Sequence, residues 1–306
     1  MKDTKNRQKI SLLQITSMFP DNETAEGWFI KTRWNGDIKC TNCNSCRVSE
    51  RKTKEKSWRC KDCRKDFSTK TDTIMQGSNL GFRVWAMAIY ILTTNLKGIA
   101  STKLASDLNI TQKSAWHLAM RIRETYKNNV GQLSGTVEVD ESYFGGKEKN
   151  KHADKRLKVG RGAVGKQAVI GAKQRGGKIV AQTLEKTTKA ELKGFINETV
   201  KKGSNVMTDD HRGYLNMRGY NHDSVSHSVG EYVREQAHTN GIESFWALLK
   251  RGYNGTHHHM SKKHIGQYVN EFAGRHNTRS FDTLLQMAGI MGNMVGKRLK
   301  YSDLIA

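Results

Sequence analysis

Long apolar runs are missing from this 306-residue chain. The longest uninterrupted one, Val84 to Leu92, has nine residues, well short of the roughly 20 needed to cross a bilayer as a helix. Met1-Lys2-Asp3-Thr4-Lys5 leads into no apolar h-region, so no secretory signal is expected. Acidic residues are scarce: 29 Asp and Glu stand against 52 Lys and Arg, a formal charge of +23. That balance excludes an acidic solvating chain and points to a polyanionic partner, with nucleic acid as the default. Proline occurs once, at Pro20. Cysteine occurs five times, an odd number, and four of the five sit in two C-x-x-C pairs. Both facts favour a reducing compartment and a metal over disulfides. Apolar residues make up only 36%, yet six Trp, nine Tyr and nine Phe can anchor a core, and the length allows two or three domains.

What is present divides the chain into stretches of different character. Pro20 precedes Asp21-Asn22, good N-cap residues for a short helix carrying Trp28, Phe29 and Trp34. Residues 35–72 are rich in Cys, Lys and Asn, with strand-like pieces at Ser57-Trp58-Arg59 and Asp66-Phe67-Ser68. From Phe82 to Lys127 the apolar spacing is helical, at positions 85, 88, 89 and 92 and again at 115, 118, 119 and 122. Gly131 to Gly135 reads as a linker. Thr136-Val137-Glu138-Val139-Asp140 alternates as a strand does. The loop at 145–167 holds eight Lys/Arg, two acids and five Gly, a composition expected to be flexible until something binds. Strand-like runs at 168–174 and 178–184 are joined through Arg175-Gly176-Gly177, a hairpin signal. A helix is expected over 190–200, short strands over 205–208 and 225–228, and helices from Asn240 onward. Together these describe a mixed α/β domain.

Cys40-Thr41-Asn42-Cys43 and Cys60-Lys61-Asp62-Cys63 give the spacing C-x2-C-x16-C-x2-C. Two tight turns can offer four thiolates to one Zn2+, leaving it no open position, so the metal expected here is structural. Cys46 lies too close to Cys43 for a ligand role and reads as a free thiol. Arg47, Arg51, Lys52, Lys54, Lys56 and Arg59 between the pairs suit phosphate contact, or form an ordinary solvated face. Further on, Ser101–Leu108 reads as a short helix, Asn109-Ile110 as a turn, and Thr111 as the cap of a second helix running to about Tyr126. The pair resembles a helix-turn-helix whose second helix presents Gln112, Lys113, His117 and Arg121, or else is a plain helical hairpin.

Three carboxylates stand out by context. Asp140 ends an alternating strand, Asp209 ends another after Val206-Met207-Thr208, and Glu243 lies on a strongly patterned helix. In that helix Ile242, Phe245, Trp246 and Leu249 form the buried stripe, with Glu243 and Lys250 at its edge, seven residues apart. Converging carboxylates repel, and in a basic protein divalent cations are their natural counter-charge. Alternation sets Glu141 on the face opposite Asp140, and Asp210 begins the following turn; both read as solvated or supporting carboxylates.

Three segments carry a specific resemblance: 137–146 (VEVDESYFGG), 208–214 (TDDHRGY) and 238–252 (HTNGIESFWALLKRG). They closely resemble the DDE transposases of bacterial insertion sequences, in the group with an N-terminal zinc ribbon. Ser261–His264, Glu271–Arg279, and Trp58–Cys63 with Phe67-Ser68 are similar to that group too. The resemblance implies an RNase H-like mixed sheet with flanking helices, preceded by a small zinc ribbon and a helix-turn-helix-like region. The domains would then be 1–75 (N-terminal helix and ribbon), 76–130 (helical, DNA-binding) and 131–306 (catalytic). It puts catalysis on Asp140, Asp209 and Glu243, holding two Mg2+ or Mn2+ ions, with Zn2+ on Cys40, Cys43, Cys60 and Cys63. Lys250 would contact DNA near the scissile phosphate. Some members look as though Asn takes the third position, and Asn240, one turn before Glu243, is a nearby helper. Lys113, His117 and Arg121 would contact DNA from the second helix of the pair. His257-His258-His259 reads as loop residues near DNA or as solvated histidines.

The implied protein is a DNA transposase. It would bind terminal inverted repeats, cleave the element ends and join each 3′-OH to target DNA by transesterification, as a homodimer or larger assembly on DNA. It would have no membrane partner and would be cytoplasmic and nucleoid-associated in a bacterium. Two rivals are a catalytically silent zinc-ribbon regulator and an RNase H-like nuclease without strand transfer.

Overall fold

Ser11 opens the first helix, α1 (Leu12–Met18), with a reciprocal capping box: its hydroxyl accepts the Gln14 N–H at 3.2 Å and its own N–H donates to the Gln14 side chain at 2.9 Å. Asp21 caps α2 (Asn22–Trp34), accepting the Thr24 N–H at 2.7 Å. Strands β1 (Val48–Glu50), β2 (Ser57–Cys60) and β3 (Asp66–Ser68) then form an antiparallel sheet in that order. Trp34 of α2 meets Trp58 and Phe67 of this sheet at ring separations of 5.5 and 6.2 Å, giving the small sheet its own core. Helix α3 (Phe82–Thr94) follows, with Trp85, Ile89 and Leu92 fully buried. Then come α4 (Ser101–Leu108) and α5 (Gln112–Thr125), separated by Asn109 in the left-handed region (φ 49°) and by Thr111, whose hydroxyl accepts the Ser114 N–H. This computed structural model describes residues 7–51, 57–127, 130–146, 148–157, 163–209, 212–214, 217–225 and 238–306.

Residues Lys127–Arg279 form a separate compact unit. Its elements are β4 (Thr136–Phe144), β5 (Gln167–Gln174), β6 (Ile179–Leu184), α6 (Lys189–Thr199), β7 (Asn205–Asp209), β8 (Asn221–Val225), α7 (Asn240–Gly252) and α8 (Ile265–Thr278). The five strands lie in the order β6-β5-β4-β7-β8. The first three pair antiparallel, while β4–β7 and β7–β8 are parallel. On one face Val137, Val139, Ile170 and Ala172 pack with Leu192, Phe195 and Ile196 of α6. The alternate residues face α7. Opposite Asp140 in the register stands Gly171, where an added Cβ would come within 2.9 Å of Ile242 and Trp246, so the glycine lets α7 lie close on the sheet. Helix α8 covers β6, and the Asn277 amide bonds both the N–H and the carbonyl of Ile179 at 2.8 Å. Of the stretch expected at 225–228, residues 226–228 lie outside the described residues, and the last strand covers 221–225. It pairs with β7 residue by residue through a polar stretch that has no apolar alternation to reveal it.

Helices α9 (Thr283–Gly292) and α10 (Tyr301–Ile305) belong to the compact unit that contains residues 2–126, not to the one carrying the large sheet. Met287, Ile290, Met291 and Met294 enter the core formed by Phe29, Trp85 and Leu118. Ile74 and Met75 lie in that same core, and the Ile74 N–H donates to the Met294 carbonyl, so no boundary falls at residue 75. Among the described residues, no helix is long and apolar enough to cross a membrane.

Candidate functional site

Two turns of the same shape build the thiol cluster. Cys40 N–H donates to Ser45 O at 2.9 Å and Cys60 N–H to Lys65 O at 3.0 Å, with Asn44 and Arg64 both at φ 59°. The turns bring Cys40 Sγ within 3.5 Å of Cys63 Sγ, and Cys43 Sγ within 3.6 Å of Cys60 Sγ. All four sulfurs lie within 4.8 Å of one another. A zinc tetrahedron with Zn–S near 2.3 Å has edges of about 3.8 Å, so the donor set fits zinc. The N–H groups of Cys63 and Asp62, directed at the Cys60 sulfur, lower that thiol to about 6 and favour the thiolate a metal needs. Cys46 is exposed and outside the cluster. Of the basic residues expected at phosphate, Arg47 pairs with Asp62 and Arg51 and Arg59 pair with Asp66; Lys52, Lys54 and Lys56 lie outside the described residues.

The carboxylates assemble where β7 ends beside the middle of β4. The β4–β7 pairing runs to Glu138–Met207, and continuing it sets Asp140 level with Asp209 at the end of β7. Carboxylate oxygens of Asp140, Asp209 and Glu141 all lie within 4.8 Å of one another. Glu141 corrects the sequence reading. Although strand alternation sets Glu141 on the other face from Asp140, its carboxylate reaches the pair. The Tyr214 hydroxyl donates to Glu141 Oε2 at 2.5 Å and holds it there. Burial first, then the Asp209 carboxylate, pushes Asp140 up to about 6, against opposing bonds from the Glu141 N–H and the Trp246 indole. Burial likewise pushes Glu141 up to about 7, with Asp209 and Asp140 adding to it. Such groups favour a proton or a cation beside them. Asp210 lies outside the described residues.

Helix α7 carries the third expected acid, which is not among the carboxylates that lie within 4.8 Å of one another. Glu243 is exposed in its first turn, accepting the Thr239 hydroxyl at 2.8 Å, and its charge is felt at Asp140. Asn240, the first residue of α7, and Lys250, in its last turn, are both exposed. Trp246, read from the sequence only as part of the buried stripe, also donates its indole N–H to Asp140 Oδ2 at 3.0 Å. Its place three residues after Glu243, on the same side of the helix, was the signal for that contact.

The family model for ISXO2-like transposase domains matches residues 132–277, which span the five-stranded sheet, α7 and nearly all of α8. Residues 132–277 are thus similar to ISXO2-like transposase domains. The resemblance to insertion-sequence DDE transposases read from the motifs therefore holds. The chain is also similar to an uncharacterised protein in transposable element ISH50 of Halobacterium salinarum, 25% identical over 256 residues that cover 76% of this chain and 83% of that protein.

Three more residues expected to contact DNA lie outside the matched stretch, on α5. Lys113 is exposed, with Nζ 4.6 Å from the centre of the Tyr301 ring. The His117 ring meets the same tyrosine edge-on at 5.5 Å. Arg121 is 8% exposed and its Nε donates to the Leu299 carbonyl at 3.2 Å. The end of the chain thus occupies much of the face that α5 was expected to present. Within the matched stretch, the first of the three consecutive histidines, His257, packs its ring on Tyr268 at 4.8 Å, whereas His258 and His259 are exposed.

Proposed function

We propose that this protein is a metal-dependent DNA transposase that cleaves the ends of an insertion sequence and joins them to target DNA. The observation that carries this reading is the meeting of Asp140, in the middle of β4, with Asp209, at the end of the neighbouring β7, against the helix that bears Glu243. The sheet order, third-second-first-fourth-fifth with only the second strand running against the others, supports an RNase H-like fold. Hard carboxylate oxygens suit Mg2+ or Mn2+, which Asp140, Asp209 and Glu243 would hold. When bound, such ions supply Lewis acidity that makes water or a 3′-hydroxyl a better nucleophile and neutralises the departing phosphodiester oxygen. Trp246 fixes the Asp140 carboxylate, and Lys250 offers a cation to the DNA backbone two turns beyond Glu243. Asn240 lies beside the scissile phosphate. The zinc ribbon and α4–α5, with Lys113, His117 and Arg121, engage the terminal inverted repeats, and two ends require at least two copies of the chain.

The test pairs a gel shift with a cleavage assay on one labelled repeat. Asp140→Asn, Asp209→Asn and Glu243→Gln should bind it as the parent does, yet lose both cleavage and strand transfer by about a thousandfold or more. Near-parental cleavage by Asp209→Asn would overturn the assignment.

A further inference from the structure

Two residues before Asp140, on the same face of β4, lies Glu138, a carboxylate only 2% exposed. Burying a charge is costly unless it is fully matched, and the groups around it tie β5 and its turn to the start of α7. Arg175 Nε donates to Glu138 Oε1 at 3.0 Å, and the Arg175 Nη2 donates to the His238 carbonyl at 2.9 Å. Lys173, opposite Glu138 in the β4–β5 register, donates to the Gly241 carbonyl at 2.7 Å. The Ile242 N–H, in the first turn of α7, donates to Glu138 Oε2 at 2.9 Å. The residue that should cap this helix, Thr239, makes no side-chain bond to its backbone and spends its hydroxyl on Glu243. Glu138 therefore caps α7 from the sheet, where the positive end of the helix favours a carboxylate. At Gly241 an added Cβ would come within 2.5 Å of Glu138 Oε2, so that residue must be glycine for the contact to exist.

A second bond links the same two elements: Trp246 to Asp140. The attachment points match in spacing. Positions 138 and 140 are about 6.7 Å apart along a strand, and positions 242 and 246 about 6 Å apart along a helix. Two fastenings of equal spacing fix how far α7 slides along β4 and how it is turned. Glu243 lies between them.

We propose that Glu138, locked by Arg175, is a positioning residue that sets Glu243 over the Asp140–Asp209 pair and so determines the affinity of the site for divalent cations. This rests on the metal-dependent reading above, and the experiment separates the two. Mn2+ is the probe, with free ion measured by electron paramagnetic resonance and cleavage of the labelled repeat followed against Mn2+ concentration. Glu138→Gln keeps the volume and an acceptor for Ile242 but removes the charge that holds Arg175. It should weaken Mn2+ binding about tenfold or more and raise the Mn2+ concentration for half-maximal cleavage to match. Zinc content should stay within about twofold of the parent, since the thiol cluster does not involve α7. Arg175→Lys keeps a positive charge but not the two-pronged contact, so it should give a shift of the same kind of about threefold; it decides the matter if Glu138→Gln does not fold. If Asp140→Asn abolishes Mn2+ binding and cleavage while the two Glu138 and Arg175 variants match the parent, the positioning role is wrong and the metal reading stands. If Asp140→Asn keeps both properties, the metal reading itself falls.

Discussion

The two candidate metal clusters of this chain are built in opposite ways. The four thiols come from two short turns of one shape, each closed by its own backbone hydrogen bonds, and a three-stranded sheet with an aromatic core holds the turns together. Asp140 and Asp209 come from strands far apart in sequence and meet because β7 runs parallel to β4 and ends level with Asp140, in the middle of that strand. In the first cluster a bound ion completes a small fold that has little else to hold it. In the second, a large sheet forces like charges together whether or not an ion is present, and the cost appears as raised proton affinity at Asp140 and Glu141. Locally built sites depend on their metal for structure, while sheet-built sites depend on it for charge balance.

The sharpest way to break this contrast is to remove one ligand from the thiol cluster. Cys60→Ser should abolish zinc binding, since structural zinc contributes on the order of 10 kcal/mol in small fingers. The packing of Trp34, Trp58 and Phe67 should open with it, read as a change in tryptophan fluorescence and near-ultraviolet circular dichroism. Residues 127–279 form a separate compact unit, and their Mn2+ binding should persist. Freshly reduced parental protein carrying no zinc would sink the ribbon assignment.

A smaller effect is expected at the acid that alternation set aside. If Glu141 shares the cation with Asp140 and Asp209, Glu141→Gln should slow end cleavage about 10- to 100-fold, less than Asp140→Asn. Tyr214→Phe tests the same point through pH. The tyrosine hydroxyl holds the Glu141 carboxyl down against its burial, so removing it should raise that group further above its value of about 7. A cation needs the deprotonated form, and the rise of cleavage with pH should therefore move to higher pH in Tyr214→Phe. An unmoved profile would mean that Glu141 lies beside the site without serving it.

Local chemistry made much of this legible before the fold was known. The cysteine spacing, the Asp21 and Thr111 caps, and the alternation of β4 are all decided within a few residues. What remained hidden depends on which surfaces meet. The spacing of Met287, Ile290, Met291 and Met294 marks a helix with an apolar face, but not that the face belongs with Phe29 and Trp85 instead of the sheet. Alternation alone misses the Glu141 carboxylate, because its place beside Asp140 and Asp209 depends on a bond from the distant Tyr214. Arg121 reads as a presented cation on α5; that Leu299 and Tyr301 come to lie beside that face is a long-range fact. Glu138 looked like one more polar residue on an alternating strand, and its value lies in contacts with residues 175 and 242.

The smallest effect concerns stability, and it tests whether the sheet does force charges together. Asp140 carries a folded-state value of about 6 against an ordinary 3.8, chiefly from burial and then from Asp209. A carboxyl raised on folding binds its proton more tightly in the folded state. Its stabilising contribution is therefore full below about pH 4 and is lost as pH rises from there to about 6. At pH 7 to 8, without added divalent cations, the ionised Asp140 should cost the unit about 2–3 kcal/mol relative to acid conditions. Asp140→Asn removes that charge, so the variant should be more stable than the parent near neutral pH by up to this amount, with the difference shrinking as pH is lowered to 5. Added Mn2+ should stabilise the parent and not the variant, closing the gap from the other side. Urea unfolding of both proteins across pH 5 to 8, with and without Mn2+, reads all of these together. A difference independent of pH would mean that Asp140 is not held against its charge, and the contrast with the thiol cluster would then rest on topology alone.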